Sequence, residues 1–165
     1  MTTVLRGDDS HIDGAAQVWA EATAARDGDP DVAPLEDSRP IIARVLGRPG
    51  AVLTVALDEG NQVVAFAVAA PAHASAARPC ASTAEVEYIG VRPGRWGAGL
   101  ARSVLQLLCA ELSADGFTEA QLLVYLDNRR ATGLYEQFGW RPEGSPQPHP
   151  RTGKPQQRYR LTLTR

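Results

Sequence analysis

The stretch Val91-Arg92-Pro93-Gly94-Arg95-Trp96-Gly97-Ala98-Gly99-Leu100-Ala101 sets a strand end, a glycine-rich turn and a helix start in immediate succession. On its N-terminal side, Glu85-Val86-Glu87-Tyr88-Ile89-Gly90-Val91 reads as a strand that Pro93 closes. On its C-terminal side, Leu100, Val104, Leu107, Leu108 and Leu112 recur at helical spacing, and Gly116 ends the helix. Such a turn favours anions. Gly97 and Gly99 clear the approach of side chains, while the unpaired N–H groups of the helix's first turn, at the positive end of its dipole, face whatever lies there. A phosphate or pyrophosphate is the natural guest; a tight turn whose glycines serve only backbone freedom is the alternative reading. A P-loop needs Gly-Lys-Ser/Thr, yet Lys154 is the only lysine, and Arg102 stands where a dinucleotide fingerprint needs its third glycine. Neither an ATPase nor a nicotinamide enzyme is favoured.

Working outward, Ala120 to Leu126 reads as a strand and Arg129 to Phe138 as a helix with Ala131, Leu134, Tyr135 and Phe138 on one face. Stretches near Trp140 and from Gln157 to Leu163 suit closing strands. Toward the N-terminus, Val4 and Leu5 form a short strand, and Asp9 or Ser10 caps a helix whose apolar positions are Ala15, Val18, Trp19 and Ala22. Ile41, Ile42, Val45 and Leu46 mark a second helix stopped by Gly47 and Pro49, and Ala51 to Leu57 pairs with Gln62 to Ala69 as a hairpin around Asp58-Glu59-Gly60-Asn61. A loop with Pro71, His73 and Pro79 follows. The order predicts a mixed α/β layer structure on one sheet.

Composition agrees with one globular domain over residues 1–165: 44% of the chain is hydrophobic and 22% charged. Seventeen basic against 19 acidic residues give a net charge of -2, which argues against a dedicated nucleic-acid binder. The longest apolar runs, such as Val63 to Ala72, fall far short of the roughly 20 residues of a membrane-spanning helix, and the opening MTTVLRGDDS holds no apolar signal core. The expectation is a cytoplasmic protein without membrane attachment. Cys80, Cys109 and three scattered histidines give no metal-ligand spacing and no disulfide framework, so no metal is expected.

Two blocks carry a resemblance. Val91-Arg92-Pro93 followed by Trp96-Gly97-Ala98-Gly99-Leu100-Ala101 resembles the V-x-P and Q/R-x-x-G-x-G/A signature of the GCN5-related N-acetyltransferase (GNAT) family, with Trp96 in place of the usual Gln or Arg. About 30 residues on, Leu123-Val124-Tyr125-Leu126-Asp127-Asn128-Arg129-Arg130-Ala131-Thr132-Gly133-Leu134-Tyr135-Glu136-Gln137-Phe138-Gly139-Trp140 is similar to the family's V-x-x-x-N-x-x-A-x-x-L-Y-x-x-x-G-F pattern, with Trp140 for the final Phe. The resemblance implies a GNAT fold: one mixed, mostly antiparallel sheet of about six or seven strands with about four helices on its two faces. It also implies an acetyl-CoA-dependent N-acetyltransferase that transfers acetyl directly to an amine of a small molecule or protein. A non-catalytic acyl-CoA-binding or sensing domain is the alternative.

The resemblance further implies a V-shaped opening between the strand ending at Val91 and the one ending at Leu126. Pantetheine would lie there on backbone groups of Ile89 and Val91, and the diphosphate at Trp96, Gly97, Ala98, Gly99, Leu100, Ala101 and Arg102, with Arg95 or Arg102 supplying the charge that Trp96 lacks. Asn128 would help hold the cofactor, and Tyr135 would protonate the departing sulfur; a helix cap and a core tyrosine are the plainer readings of these two residues. Glu85 and Glu87 are the candidate bases, because a period-two strand sends both to one face together with Ile89. Gly90 inside that strand reads equally as a close-approach position or as a packing glycine. The acceptor-facing loops are expected at Arg26 to Pro34, Pro71 to Thr83 and Glu143 to Gln156, where Asp27, Asp29 and Asp31 either attract a cationic amine or form a solvated turn. The final hairpin is a candidate homodimer contact.

Overall fold

The structure, a computed structural model, describes residues 1–73 and 82–164. Its elements are β1 (Thr3–Arg6), α1 (Ile12–Asp27), α2 (Leu35–Leu46), β2 (Val52–Leu57), β3 (Val63–Pro71), β4 (Thr83–Val91), α3 (Leu100–Ala114), β5 (Glu119–Tyr125), α4 (Arg129–Gln137), β6 (Arg141–Pro148) and β7 (Pro155–Thr162). The strands form one sheet in the order β1-β2-β3-β4-β5-β7-β6. Every neighbouring pair is antiparallel except β4 and β5. Among the described residues no helix is long and apolar enough to cross a membrane.

Continuous apolar runs in β2 and β3 are explained by burial on both faces. Val52, Ala56, Val64 and Ala67 turn toward α3, where they meet Val104, Leu105, Leu108 and Leu112. Leu53, Val55, Phe66 and Val68 turn the other way, toward Ala15, Val18, Ile42 and Val45 of α1 and α2. Thr54 sits wholly buried between them and donates its hydroxyl hydrogen to the Val104 carbonyl at 2.8 Å, so its polarity costs little. The helices thus clamp β2–β4 from both sides.

Two element boundaries differ from expectation. The turn before α1 is capped by Asp8, whose Oδ1 accepts from the Ser10 N–H at 2.9 Å; a short 3-10 turn intervenes, and His11 becomes the N-cap of α1 itself. The second helix begins at Leu35, ahead of Pro40, which stands inside it. Pro40 is exposed, so the backbone acceptor it leaves unpaired on that side meets solvent, and the helix tolerates it.

Gly90 faces α1. A Cβ built there would stand 2.9 Å from Phe66 Cε1 and 3.6 Å from Val18 Cγ1, so packing of α1 on the sheet accounts for the glycine. Gly90→Ala is expected to lower stability by about 1–3 kcal/mol through overpacking, read as a lower urea midpoint at unchanged slope. Phe66→Leu in the same chain should recover part of that loss.

Candidate functional site

The parallel pair β4–β5 is joined over only three residue pairs, Thr83↔Glu119, Ala84↔Ala120 and Glu85↔Gln121. Beyond Glu85 the strands splay, so the β5-facing edge of residues 86–91 has no strand partner. On the other edge the register with β3 passes from Val68↔Tyr88 to Ala69↔Val86, which leaves Glu87 as an extra, bulged residue. A bulge bends its strand and increases the local twist. The fork opens into a cleft of ≈ 1170 Å³ that passes between the two arms of the sheet.

At one end of the cleft lies the glycine turn. Gly97 and Gly99 hold φ of +85° and +78°, a left-handed backbone that side chains strain, and space around both is open for at least 4 Å where a Cβ would stand. Gly99 is the N-cap of α3 with no side-chain cap. The first bond of the helix runs from the Ser103 N–H to the Gly99 carbonyl at 3.1 Å, so the N–H groups of Leu100, Ala101 and Arg102 lie ahead of it. Trp96, Gly97, Gly99, Leu100, Ala101 and Arg102 all line the cleft; Ala98 does not. Trp96 is 43% exposed, and its Nε1 donates to the Val91 carbonyl at 2.8 Å.

At the middle of the fork, Ile89 and Val91 line one arm, and Leu123, Val124 and Tyr125 the other. Asn128 caps α4, its Oδ1 accepting from the Ala131 N–H at 3.2 Å, and lines the cleft as well, so the capping and site readings are compatible. Tyr135 is a core tyrosine that also borders the cleft. Its ring is buried against Trp140 and Tyr159, with centroids 5.9 and 6.2 Å away. The residue nonetheless lines the cleft, and burial pushes its pKa up to about 12, which keeps the phenol protonated.

The carboxylates are arranged differently from the period-two expectation. The bulge at Glu87 shifts the phase of β4: Glu85 and Tyr88 lie across from Ala70 and Val68, on the α1 and α2 side, whereas Ile89 lies across from Ala67 and packs toward α3. Ile89 therefore does not share a face with Glu85. Glu87 lines the cleft with Arg48 Nη1 3.5 Å from its carboxylate. Glu85 stands at the closed end of the fork and is not part of the cleft lining. Its Oε1 accepts from Gln121 Nε2 at 3.4 Å and lies 3.6 Å from Arg158 Nη1, while Oε2 is buried without a partner. Desolvation, opposed by Arg158 and reinforced by the nearby Glu87 charge, raises the Glu85 pKa to about 7.

The far end of the cleft is floored by Trp19 and Tyr88, packed edge to face with centroids 4.8 Å apart. Sequence spacing identified Trp19 only as an apolar position of a helix, and nothing in it marked the bulge that turns Tyr88 toward the same side. Asp27, Asp29 and Asp31 also line the cleft, Asp29 close to Arg92, Pro93 and Gly94, but Asp27 pairs with Arg26 Nε at 2.9 Å and Asp29 accepts from the Asp31 N–H at 2.9 Å. Arg151, His149 and Thr152 of the β6–β7 loop line the cleft beside Tyr125. Cys80 lies outside the described residues, as does most of the expected loop from Pro71 to Thr83.

A sheet forked between two parallel strands, with a helix N-terminus at one mouth of the fork, defines a GNAT fold. Residues 16–140 match the acetyltransferase (GNAT) family, and the chain belongs to it. Over 81 residues it is 33% identical to the mycothiol acetyltransferase of Streptomyces scabiei (strain 87.22), covering 49% of this chain and 24% of that protein. The matches span about a quarter or less of the length of the curated relatives. Among solved structures, the ribosomal-protein-S18-alanine N-acetyltransferase from Escherichia coli superposes with a TM-score of 0.75 at 20% identity, covering 100% of this chain and 96% of that one. The yncA protein of Salmonella typhimurium, solved with its cofactor acetyl-CoA, gives 0.73 at 19% identity over 99% and 94% of the two chains. At these identities the likeness is one of fold.

Glu85 has a pH signature. Its pKa in the folded chain, about 7, exceeds the ordinary 4.5, so between those values the native state holds a proton that the unfolded state has lost. Stability contributed by this group therefore falls as pH rises through that window, by about 3 kcal/mol in all. Glu85→Gln should flatten the fall in urea-unfolding free energy between pH 5 and 8; parallel curves for the two proteins would mean that Glu85 stays charged throughout.

Proposed function

We propose that the chain is an acetyl-CoA-dependent N-acetyltransferase that moves acetyl directly to an amine held over Trp19 and Tyr88. The observation that carries this reading is the meeting, in one cleft, of the open β4 edge, the uncapped α3 N-terminus and Tyr135. The residues fit the cofactor. Open space beside Gly97 and Gly99 admits a diphosphate against the free N–H groups of Leu100 to Arg102, and the unpartnered edge of β4 offers Ile89 and Val91 to an extended pantetheine. Acetyl-CoA supplies the acetyl group as a thioester.

The chain's own groups then have separable tasks. The amine must lose a proton while its nitrogen bonds the acyl carbon, and the sulfur must gain one as the C–S bond breaks. Tyr135, protonated because it is buried, is the proton donor to sulfur. Glu87 is the carboxylate at the cleft wall, and Glu85 is the proton acceptor behind it, its pKa of about 7 suited to neutral solution. A covalent acyl-cysteine route is disfavoured at Cys109, which is buried in the α3 core with its thiol pKa pushed up to about 12.

A panel of polyamines, amino acids, aminoglycosides and peptides, assayed with acetyl-CoA for released thiol, should contain an amine that is consumed and acetylated. CoA binding without turnover on any of them would favour the sensing domain. Tyr135→Phe is expected to lower kcat by roughly a hundredfold or more with the Kd for CoA unchanged. Unchanged turnover across pH would remove Tyr135 from the mechanism. Cys80→Ala should keep turnover within about tenfold of the parent, as direct transfer requires.

A further inference from the structure

Trp96 occupies the position at which the family signature carries Gln or Arg, so the expected polar side chain is missing from its usual place beside the turn. Its indole is tied down instead. Nε1 donates to the Val91 carbonyl at 2.8 Å, which ties the ring, 43% exposed, to the end of β4. The guanidinium of Arg130 stands over that ring, 5.7 Å from its centroid, within range of a cation–π contact. Arg130 comes from the other arm of the fork, at the start of α4, and lines the same cleft as Trp96, Gly97 and Gly99.

The placement of Arg130 is electrostatically unfavourable without a ligand. Arg129 and Arg130 open α4, where the helix dipole favours anions, and the first turns of α3 and α4 contain no acidic residue. Among the described residues Arg130 has no carboxylate within ion-pair distance. Arg102, one of the two cations expected to replace the missing side chain, sits near the Phe138 ring at 6.0 Å. Arg130, an exposed side chain, is thus the cation seated on the residue that replaced the family's polar group, and a planar guanidinium stacked beside the glycine turn suits bidentate contact with phosphate oxygens.

We propose that Arg130, held on the Trp96 ring, is the side chain that binds the diphosphate of CoA in this chain. This rests on the acetyl-CoA reading above. The assignment is to the diphosphate rather than to the 3′-phosphate because Trp96 adjoins the glycine turn whose N–H groups face that group. Trp96 is a positioning residue in this pair, and its effect on binding runs through Arg130.

Calorimetric titration of the 165-residue chain with CoA and with 3′-dephospho-CoA tests the pair. Arg130→Ala should weaken both ligands by the same factor, roughly ten- to a hundredfold, with the melting temperature of the ligand-free protein unchanged. Arg130→Lys should recover only part of the loss. Trp96→Phe, which keeps a ring but loses the bond to Val91, should retain part of the Arg130 dependence, and Trp96→Ala should shrink it further, so that the two alanine substitutions together cost less than their sum. Equal binding by Arg130→Ala and the parent would overturn the assignment, as would a loss confined to the ligand bearing the 3′-phosphate, or full additivity with Trp96→Ala. If the parent itself binds neither ligand, the acetyl-CoA reading falls; if the parent binds and only the Arg130 dependence is missing, that reading stands and the Arg130 assignment alone is wrong.

Discussion

Parallel pairing between β4 and β5 that stops after Glu85↔Gln121 is the constraint on which the rest of the structure depends. A continuous ladder would close the sheet and consume the backbone groups of residues 86–91. Because it stops, those groups border a cleft, α3 and α4 each present an N-terminus to it, and the sheet's two faces communicate through the gap. The Glu87 bulge on the opposite edge of β4 works in the same sense, since it bends the strand where the fork begins.

Stability and chemistry are divided along the sheet. α1, α2 and α3 cover β2, β3 and β4 and make two apolar clusters on opposite faces. These rigid layers hold β4 in place against its missing neighbour. At the junction sits Glu85, too buried to be comfortable as a charge and only partly compensated by Arg158 and Gln121. Retaining a desolvated carboxylate where the strands part costs stability at neutral pH, and this is a cost that a site, rather than a core, has reason to carry.

Much of the fold was legible in residue order. The apolar periodicity of α3 and α4, the hairpin around Asp58 to Asn61 and the strand ending at Val91 were readable because each is a local pattern. The glycine turn was readable for the same reason, and the structure shows why Gly97 and Gly99 are glycines: both have positive φ. The phase of β4 was not readable. Alternation assigned Ile89 to the face of Glu85, and the bulge reversed it, an event determined by pairing with β3 that leaves no mark in the sequence. For Gly90 the packing reading became visible only with Phe66 and Val18 against it, while the residue also lines the cleft. Arg130 carried at most a faint signal, a cation in the first turn of a helix, and its seat on Trp96 joins residues 34 positions apart.

By itself the sequence determined the list of elements, the anion-binding turn and membership of a family, because backbone propensity, apolar spacing and short motifs act over a few neighbouring residues. Only the tertiary structure decided where the sheet forks, which carboxylate reaches the cleft and which arginine stands over Trp96. Those outcomes depend on strand register and on the angle between packed layers, and these are properties of contacts between segments far apart in the chain.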